Sequence, residues 1–176
     1  MKTINNHSKI IAYSGTHGTG KTTSVYKRVN NLQMTTPSGV GIILEVARRC
    51  PFKILSKNNL DKPTKEAQLW IFSEQIVTEL AMALSYGIIV SDRTIIDTIA
   101  YTMVFGYKSL ADAMLRIADE HIHIYKEIHF KAIKKNDYLE DDGLRHSDRD
   151  LRQKVEDQML ELYHFISDSF EGKIYY

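Results

Sequence analysis

The chain has 176 residues, of which 43% are hydrophobic and 26% charged, enough apolar material for a packed core and for one domain over residues 1–176. Its 23 basic residues nearly balance 22 acidic ones, for a net charge of +1. That balance excludes a broad basic surface for nucleic acid or membrane, so any bound phosphate has to be held by a local site.

A single cysteine, Cys50, rules out an internal disulfide and suits a reducing compartment. The opening MKTINNHSKI is polar, unlike a signal peptide, and no apolar run approaches the roughly 20 residues that cross a bilayer. The expectation is a cytoplasmic chain with no membrane segment.

Short apolar runs alternate with long helical patterns. Lys9–Ser14 reads as a buried strand, and Gly20–Asn31 as a helix that begins inside a glycine loop. The turn Thr36-Pro37-Ser38-Gly39 leads into a second strand, Val40–Glu45, and residues 50–63 are irregular. Thr64–Tyr86 reads as a long helix in which Leu69, Phe72, Ile76, Leu80 and Leu84 form a core-facing stripe, ended by Gly87. Ile88–Asp92 is a third strand. Thr94–Phe105 and Ser109–Ile124 read as helices split by Gly106.

A fourth strand falls within Tyr125–Ile133, followed by the acidic loop Asn136–Gly143. Ser147–Asp168 reads as a helix capped by Ser147, with Asp150 three residues on and a buried stripe of Leu151, Val155, Met159, Leu162 and Ile166. Lys173–Tyr176 is a last strand. Apolar strands alternating with helices imply an α/β fold with a parallel sheet covered on both faces. Ligands of such sheets bind beyond the carboxyl ends of the strands.

The residues just after the first strand are Gly15, Thr16, His17, Gly18, Thr19, Gly20, Lys21 and Thr22, with Thr23 next to them. They match G-x-x-x-x-G-K-[ST], between a strand and a helix, which is the context this phosphate-binding motif requires. The glycines let backbone N–H groups turn inward as an anion nest, and the helix adds its positive end. Lys21 then reaches the β- and γ-phosphates, and Thr22 places its hydroxyl on Mg²⁺.

Glu45 closes the second strand, where a carboxylate can take the proton of an attacking hydroxyl; the plainer reading is a partner for Arg48 or Arg49. Asp92, at the end of the third strand, stands where an acid holds the metal, and Arg93 beside it can grip a phosphate. A buried Asp–Arg pair is the structural alternative, and Asp97, one turn on, reads as structural. Arg145 and Arg149 lead a set of lid arginines over about residues 134–152, completed by Arg152, whose plainer reading is a surface pair with Glu156. His121, His123 and His129 are spaced unlike a helical metal site and read as strand or surface residues. Trp70 and Phe72 read as core, and Gln68 and Gln75 as weaker candidates for a base contact.

Together the phosphate loop, Glu45, the Asp92-Arg93 pair and the arginine-bearing lid resemble the P-loop kinases of nucleosides and nucleotides. Deoxynucleoside kinases carry a glutamate and an acid–arginine pair at such places, and thymidylate kinases share the Asp-Arg pair. Glu45-Val46-Ala47-Arg48-Arg49 and Asp142-Gly143-Leu144-Arg145 also look like the branch containing nicotinamide riboside kinase domains and small predicted ATPases. The resemblance implies a three-layer α/β/α fold with a five-stranded parallel sheet in the order 2-3-1-4-5 and a helical lid. It further implies ATP with Mg²⁺, Lys21 and Thr22 at the phosphates, Thr22 and Asp92 at the metal, and Glu45 as base. His17 stands where thymidylate kinases carry an acid or arginine, which argues against a thymidylate assignment.

The expected activity is transfer of the γ-phosphate of ATP to a nucleoside or nucleotide acceptor. A regulatory ATPase switch with no small-molecule acceptor is the alternative. A nucleic-acid 5′-hydroxyl kinase is third, disfavoured by the near-zero charge. The sequence leaves the acceptor and the oligomeric state open; a homodimer is compatible with it.

Overall fold

The computed structural model describes residues 8–37, 39–52, 63–134 and 149–176. Five parallel strands, β1 (Lys9–Ser14), β2 (Gly41–Ile43), β3 (Ile88–Asp92), β4 (Tyr125–Phe130) and β5 (Lys173–Tyr175), form one sheet in the order β2-β3-β1-β4-β5. The helices are α1 (Lys21–Gln33), α2 (Lys65–Ala83), α3 (Ile95–Val104), α4 (Lys108–His121) and α5 (Arg149–Ile166), with short 3-10 turns at Val46–Arg49 and Ile122–Ile124. This is the α/β fold and strand order that the alternation of apolar runs and helices implies. The second strand is shorter than Val40–Glu45, so Glu45 lies just beyond its end.

The central strand shows why both faces must be covered. In β1 the side chains alternate: Ile10 and Ala12 enter one core, with Ile89, Ile95, Ile99, Ile128 and Met159, while Ile11 and Tyr13 enter the other, with Val25, Val29 and Val90. Helix α1 covers the second face; α2, α3, α4 and α5 contribute to the first. The deepest helix is α3, whose residues from Ile95 to Ala100 are almost wholly buried. Thr94 caps it, its hydroxyl accepting the Asp97 N–H.

The sheet register sets the strand ends level. Tyr13 pairs with Asp92, Ile43 with Ser91, and Ser14 with Phe130, so the segments that follow β1, β2, β3 and β4 converge on one edge. Gly15 turns the chain out of β1 there. Its φ is 135°, and a Cβ on it would lie 2.5 Å from the Lys131 carbonyl oxygen. Only glycine lets the loop leave β1 this close to the segment after β4.

One expectation is reversed. Along α2 only Phe72 of the anticipated stripe is fully buried; Leu69 and Leu84 are exposed and Ile76 and Leu80 half-buried. The hidden face instead carries Gln68, Gln75 and Glu79 beside Ala67, Phe72 and Ala83. Hydrogen-bonded polar side chains share the inward face with Phe72, so the two ends of the apolar stripe, Leu69 and Leu84, are left exposed. Helix α5 follows its expected pattern, with Val155, Met159 and Leu162 buried. Arg152 and Glu156 are also buried there rather than lying at the surface, and the Glu156 Oε2 accepts the Ile133 N–H at 2.6 Å. The acidic loop 136–143, the cap Ser147 and most of the lid, Arg145 included, lie outside the described residues.

Candidate active site

The loop after β1 owes its shape to glycine. Gly15, Gly18 and Gly20 have φ of 135°, 73° and 75°, backbone that other residues rarely adopt. Gly20 caps α1 in the left-handed conformation with no side-chain hydrogen bond, and the first turn holds no acidic residue. The N-terminal N–H groups and dipole of α1 therefore keep their positive potential for an anion. Gly20, Thr22 and Thr23 are exposed, while Thr16 and His17 are buried beneath.

Lys21 is 6% exposed, and its Nζ donates to the Thr16 carbonyl at 2.6 Å. Thr19 Oγ1 donates to the same carbonyl at 3.0 Å. Burial, reinforced by the Arg93 charge and only partly offset by Asp97, Asp92 and Glu45, lowers the Lys21 pKa to about 7. The lysine is thus parked on its own loop and poorly solvated.

Thr22 Oγ1 donates to Asp92 Oδ2 at 2.5 Å. The other oxygen, Asp92 Oδ1, is buried and accepts no hydrogen bond. A hydroxyl, one engaged carboxylate oxygen and one unpartnered one form the hard-oxygen set that Mg²⁺ takes. The residues present fit that ion.

Arg93 brings Glu45 and Asp97 together. Its Nη2 and Nε lie 2.7 and 2.8 Å from Glu45 Oε1, and its Nη1 lies 3.4 Å from Asp97 Oδ2 and 3.3 Å from the Gly15 carbonyl. Glu45 Oε2 also takes Arg48 Nε at 3.0 Å, whereas Arg49 pairs with Glu74 at 3.4 Å. Burial opposes the Arg93 charge, but Glu45, Tyr101, Asp97 and Asp92 more than compensate and hold its pKa well above the usual arginine value.

The structure therefore gathers Lys21, Thr22, Glu45, Asp92 and Arg93 at one edge of the sheet. Arg149 is exposed as the first residue of α5. Gln68 is engaged by Thr102, which donates to its Oε1 at 3.0 Å, and Gln75 turns into the core below β3. His129 lies on β4, but His121 ends α4 and its Nε2 is 2.6 Å from the buried Glu79, so it is no surface residue.

Two residues of α3 carry more than their sequence suggested. Asp97 is fully buried; Ser14 Oγ donates to its Oδ1 at 2.5 Å and Thr94 Oγ1 at 3.0 Å. Burial raises its pKa against the opposing pull of Arg93 and Lys21. Tyr101 places its hydroxyl 3.2 Å from His17 Nδ1 and accepts the His17 N–H at 3.3 Å, and its ring lies 5.5 Å from the Arg93 guanidinium carbon. Arg93, Asp97 and Tyr101 are spaced four apart. That helical period inside an apolar segment was the legible signal.

The AAA domain family matches residues 10–168. This chain belongs to the AAA domain family. None of the curated proteins matches it. Among solved structures, this AAA domain is similar to a NadR protein in complex with NR, with a TM-score of 0.71 and 17% identity over 96% of this chain. The match spans only 45% of the NadR chain, so this AAA domain corresponds to less than half of it. A deoxyadenosine kinase from M.mycoides has a TM-score of 0.67 at 14% identity, covering 94% of this chain and 88% of its own. A thymidylate kinase from Ehrlichia chaffeensis has a TM-score of 0.65 at 18% identity, covering 95% and 91%. The AAA domain therefore has the fold of the P-loop nucleoside and nucleotide kinases. No helix among its described residues is long and apolar enough to cross a membrane.

Proposed function

We propose that this AAA domain is a phosphotransferase that moves the γ-phosphate of ATP to a hydroxyl or phosphate oxygen of a nucleoside or nucleotide. The observation that carries the reading is the Glu45–Arg93 pair, held 2.7 Å apart and tied to the phosphate loop through the Gly15 carbonyl. A site that only hydrolyses nucleotide needs the loop and a metal. A second charged pair beside the loop gives an incoming acceptor something to bind.

In this scheme the amides of Gly15 to Thr22 hold the phosphate chain, and Lys21 leaves the Thr16 carbonyl for the β- and γ-oxygens. Thr22 and Asp92 hold Mg²⁺, which when bound supplies positive charge to the phosphate oxygens. Buried Lys21 and Arg93 face the carboxylates of Glu45, Asp92 and Asp97, so a polyphosphate adds negative charge to a centre already rich in it. That balance explains why a divalent ion and the arginines Arg145 and Arg149 belong to the scheme.

Glu45 takes the proton of the acceptor hydroxyl as its oxygen bonds to the γ-phosphorus. The bond from that phosphorus to the bridging oxygen breaks, and ADP keeps the electron pair. Arg93 fixes the Glu45 carboxylate beside the phosphate loop. The similarity to a deoxyadenosine kinase and a thymidylate kinase supports a nucleoside or nucleotide as acceptor.

The test is a screen of nucleosides, nucleoside monophosphates and nicotinamide riboside with ATP and Mg²⁺, with Lys21→Ala as the blank. Acceptor-dependent ADP release that vanishes in the blank is expected. Hydrolysis that depends on Lys21 but on no acceptor would replace the reading with that of a nucleotide-driven switch.

A further inference from the structure

Helix α2 buries its polar face and exposes apolar Leu69, Val77 and Leu84. Hiding a carboxyl group is costly unless its oxygens are bonded. Glu79 is 0% exposed, and its oxygens are fully engaged. Its Oε1 accepts from Gln75 Nε2 and from the Tyr125 hydroxyl, each at 2.7 Å, and its Oε2 lies 2.6 Å from His121 Nε2. Burial first, then the neighbouring Glu79, pushes the Tyr125 pKa well above 10, so the phenol stays a donor.

Two lines run from Glu79 to the turn between β3 and α3. Gln75 Nε2 also donates to Ser91 Oγ at 3.1 Å, and Ser91 Oγ donates to the Arg93 carbonyl at 2.8 Å. The Tyr125 oxygen accepts the Ile95 N–H at 3.1 Å. Between these two anchors sits Arg93, with φ of 92°, the one non-glycine residue of positive φ among the described residues. Such backbone is strained for an arginine and persists only where its surroundings over-determine it. From this conformation the guanidinium reaches both Glu45 and the Gly15 carbonyl.

We infer that Glu79 is a positioning residue: acting through Gln75–Ser91 and Tyr125, it holds the Arg93 turn in its left-handed conformation and so sets the Arg93–Glu45 pair. The role in turnover rests on the phosphotransferase reading; the brace itself is a property of the ligand-free protein.

Two readouts separate them. In the ligand-free protein the ¹⁵N–¹H resonance of Arg93 Nε, fixed by Glu45, is followed by NMR. Glu79→Leu removes all three contacts and should shift or broaden that resonance. Glu79→Gln keeps an Oε1 for Gln75 and Tyr125, its amide can donate to a neutral His121, and it should restore the signal; His123→Ala, at an exposed position, should leave it alone.

In turnover, Glu79→Leu should lower kcat by about tenfold or more with the ATP KM within about twofold, and Glu79→Gln should recover it. In an Arg93→Ala background Glu79→Leu should add no further loss, because both act through one group. If Glu79→Leu fails to fold, Ser91→Ala cuts one line at the smallest cost in volume and should shift the resonance and lower kcat in the same direction. A folded Glu79→Leu or Ser91→Ala protein with the wild-type Arg93 resonance overturns the brace. An unchanged kcat, or losses that add to those of Arg93→Ala, overturns the positioning role. Absence of any phosphoryl transfer by the wild type defeats the phosphotransferase reading and leaves the brace to the NMR result.

Discussion

Lys21 offers a direct test of how burial prepares the loop for an anion. Its pKa of about 7 in the free protein arises mainly from burial, with Arg93 adding to it. At pH 8 such a group is only about one-tenth protonated. A polyphosphate placed beside Nζ supplies further negative charge and restores the ammonium form. Binding at pH 8 should therefore draw roughly 0.9 proton from the buffer, and at pH 6 only about 0.1.

Isothermal titration calorimetry of ATP with Mg²⁺ reads this number as the slope of apparent enthalpy against buffer ionisation enthalpy. The slope should collapse in Lys21→Met. The same displacement fixes a sign for stability. Between about pH 7 and 10 the unfolded chain binds a proton at Lys21 that the folded chain lacks, so this group makes the ligand-free fold more stable as pH rises. Zero uptake at pH 8, with binding intact, would show that Lys21 is already charged in the free protein and refute the reasoning.

Glu45→Gln should lower turnover by about 10²–10⁴ while nucleotide affinity, measured by calorimetry, changes little; equal losses in both would make Glu45 structural. Asp92→Asn should erase the enhancement of nucleotide binding by Mg²⁺ and leave metal-free binding nearly intact, as titrations with and without Mg²⁺ would report; an undiminished Mg²⁺ effect would remove Asp92 from the metal set. Gly15→Ala places a Cβ 2.5 Å from the Lys131 carbonyl at a φ of 135°. It should cost more than about 2 kcal/mol in denaturant unfolding, and a loss within about 0.5 kcal/mol would show that the loop yields freely.

Much of the frame could be read from residue order alone. The apolar run Ile10-Ile11-Ala12-Tyr13 followed by the glycine loop marks the central strand, and the acids after apolar runs, Glu45 and Asp92, do lie beside that loop. Local pattern suffices where one strand ends and the next segment must turn. It fails where partners lie far apart in sequence. Glu79 carries no signal in the sequence, because its partners Tyr125 and His121 are 46 and 42 residues away. Asp97 likewise gained its importance from Ser14, 83 residues earlier. The stripe of α2 misled because a hydrogen-bonded polar cluster occupies the place that apolar side chains usually fill.

The most direct test is a crystal structure of this AAA domain with Mg²⁺ and a non-hydrolysable ATP analogue. The expected result is β- and γ-phosphate oxygens inside the loop from Gly15 to Thr22, Lys21 Nζ moved from the Thr16 carbonyl onto them, and a metal between Thr22 and Asp92. A nucleotide bound elsewhere, with Lys21 still on Thr16 and the loop empty of phosphate, would contradict it.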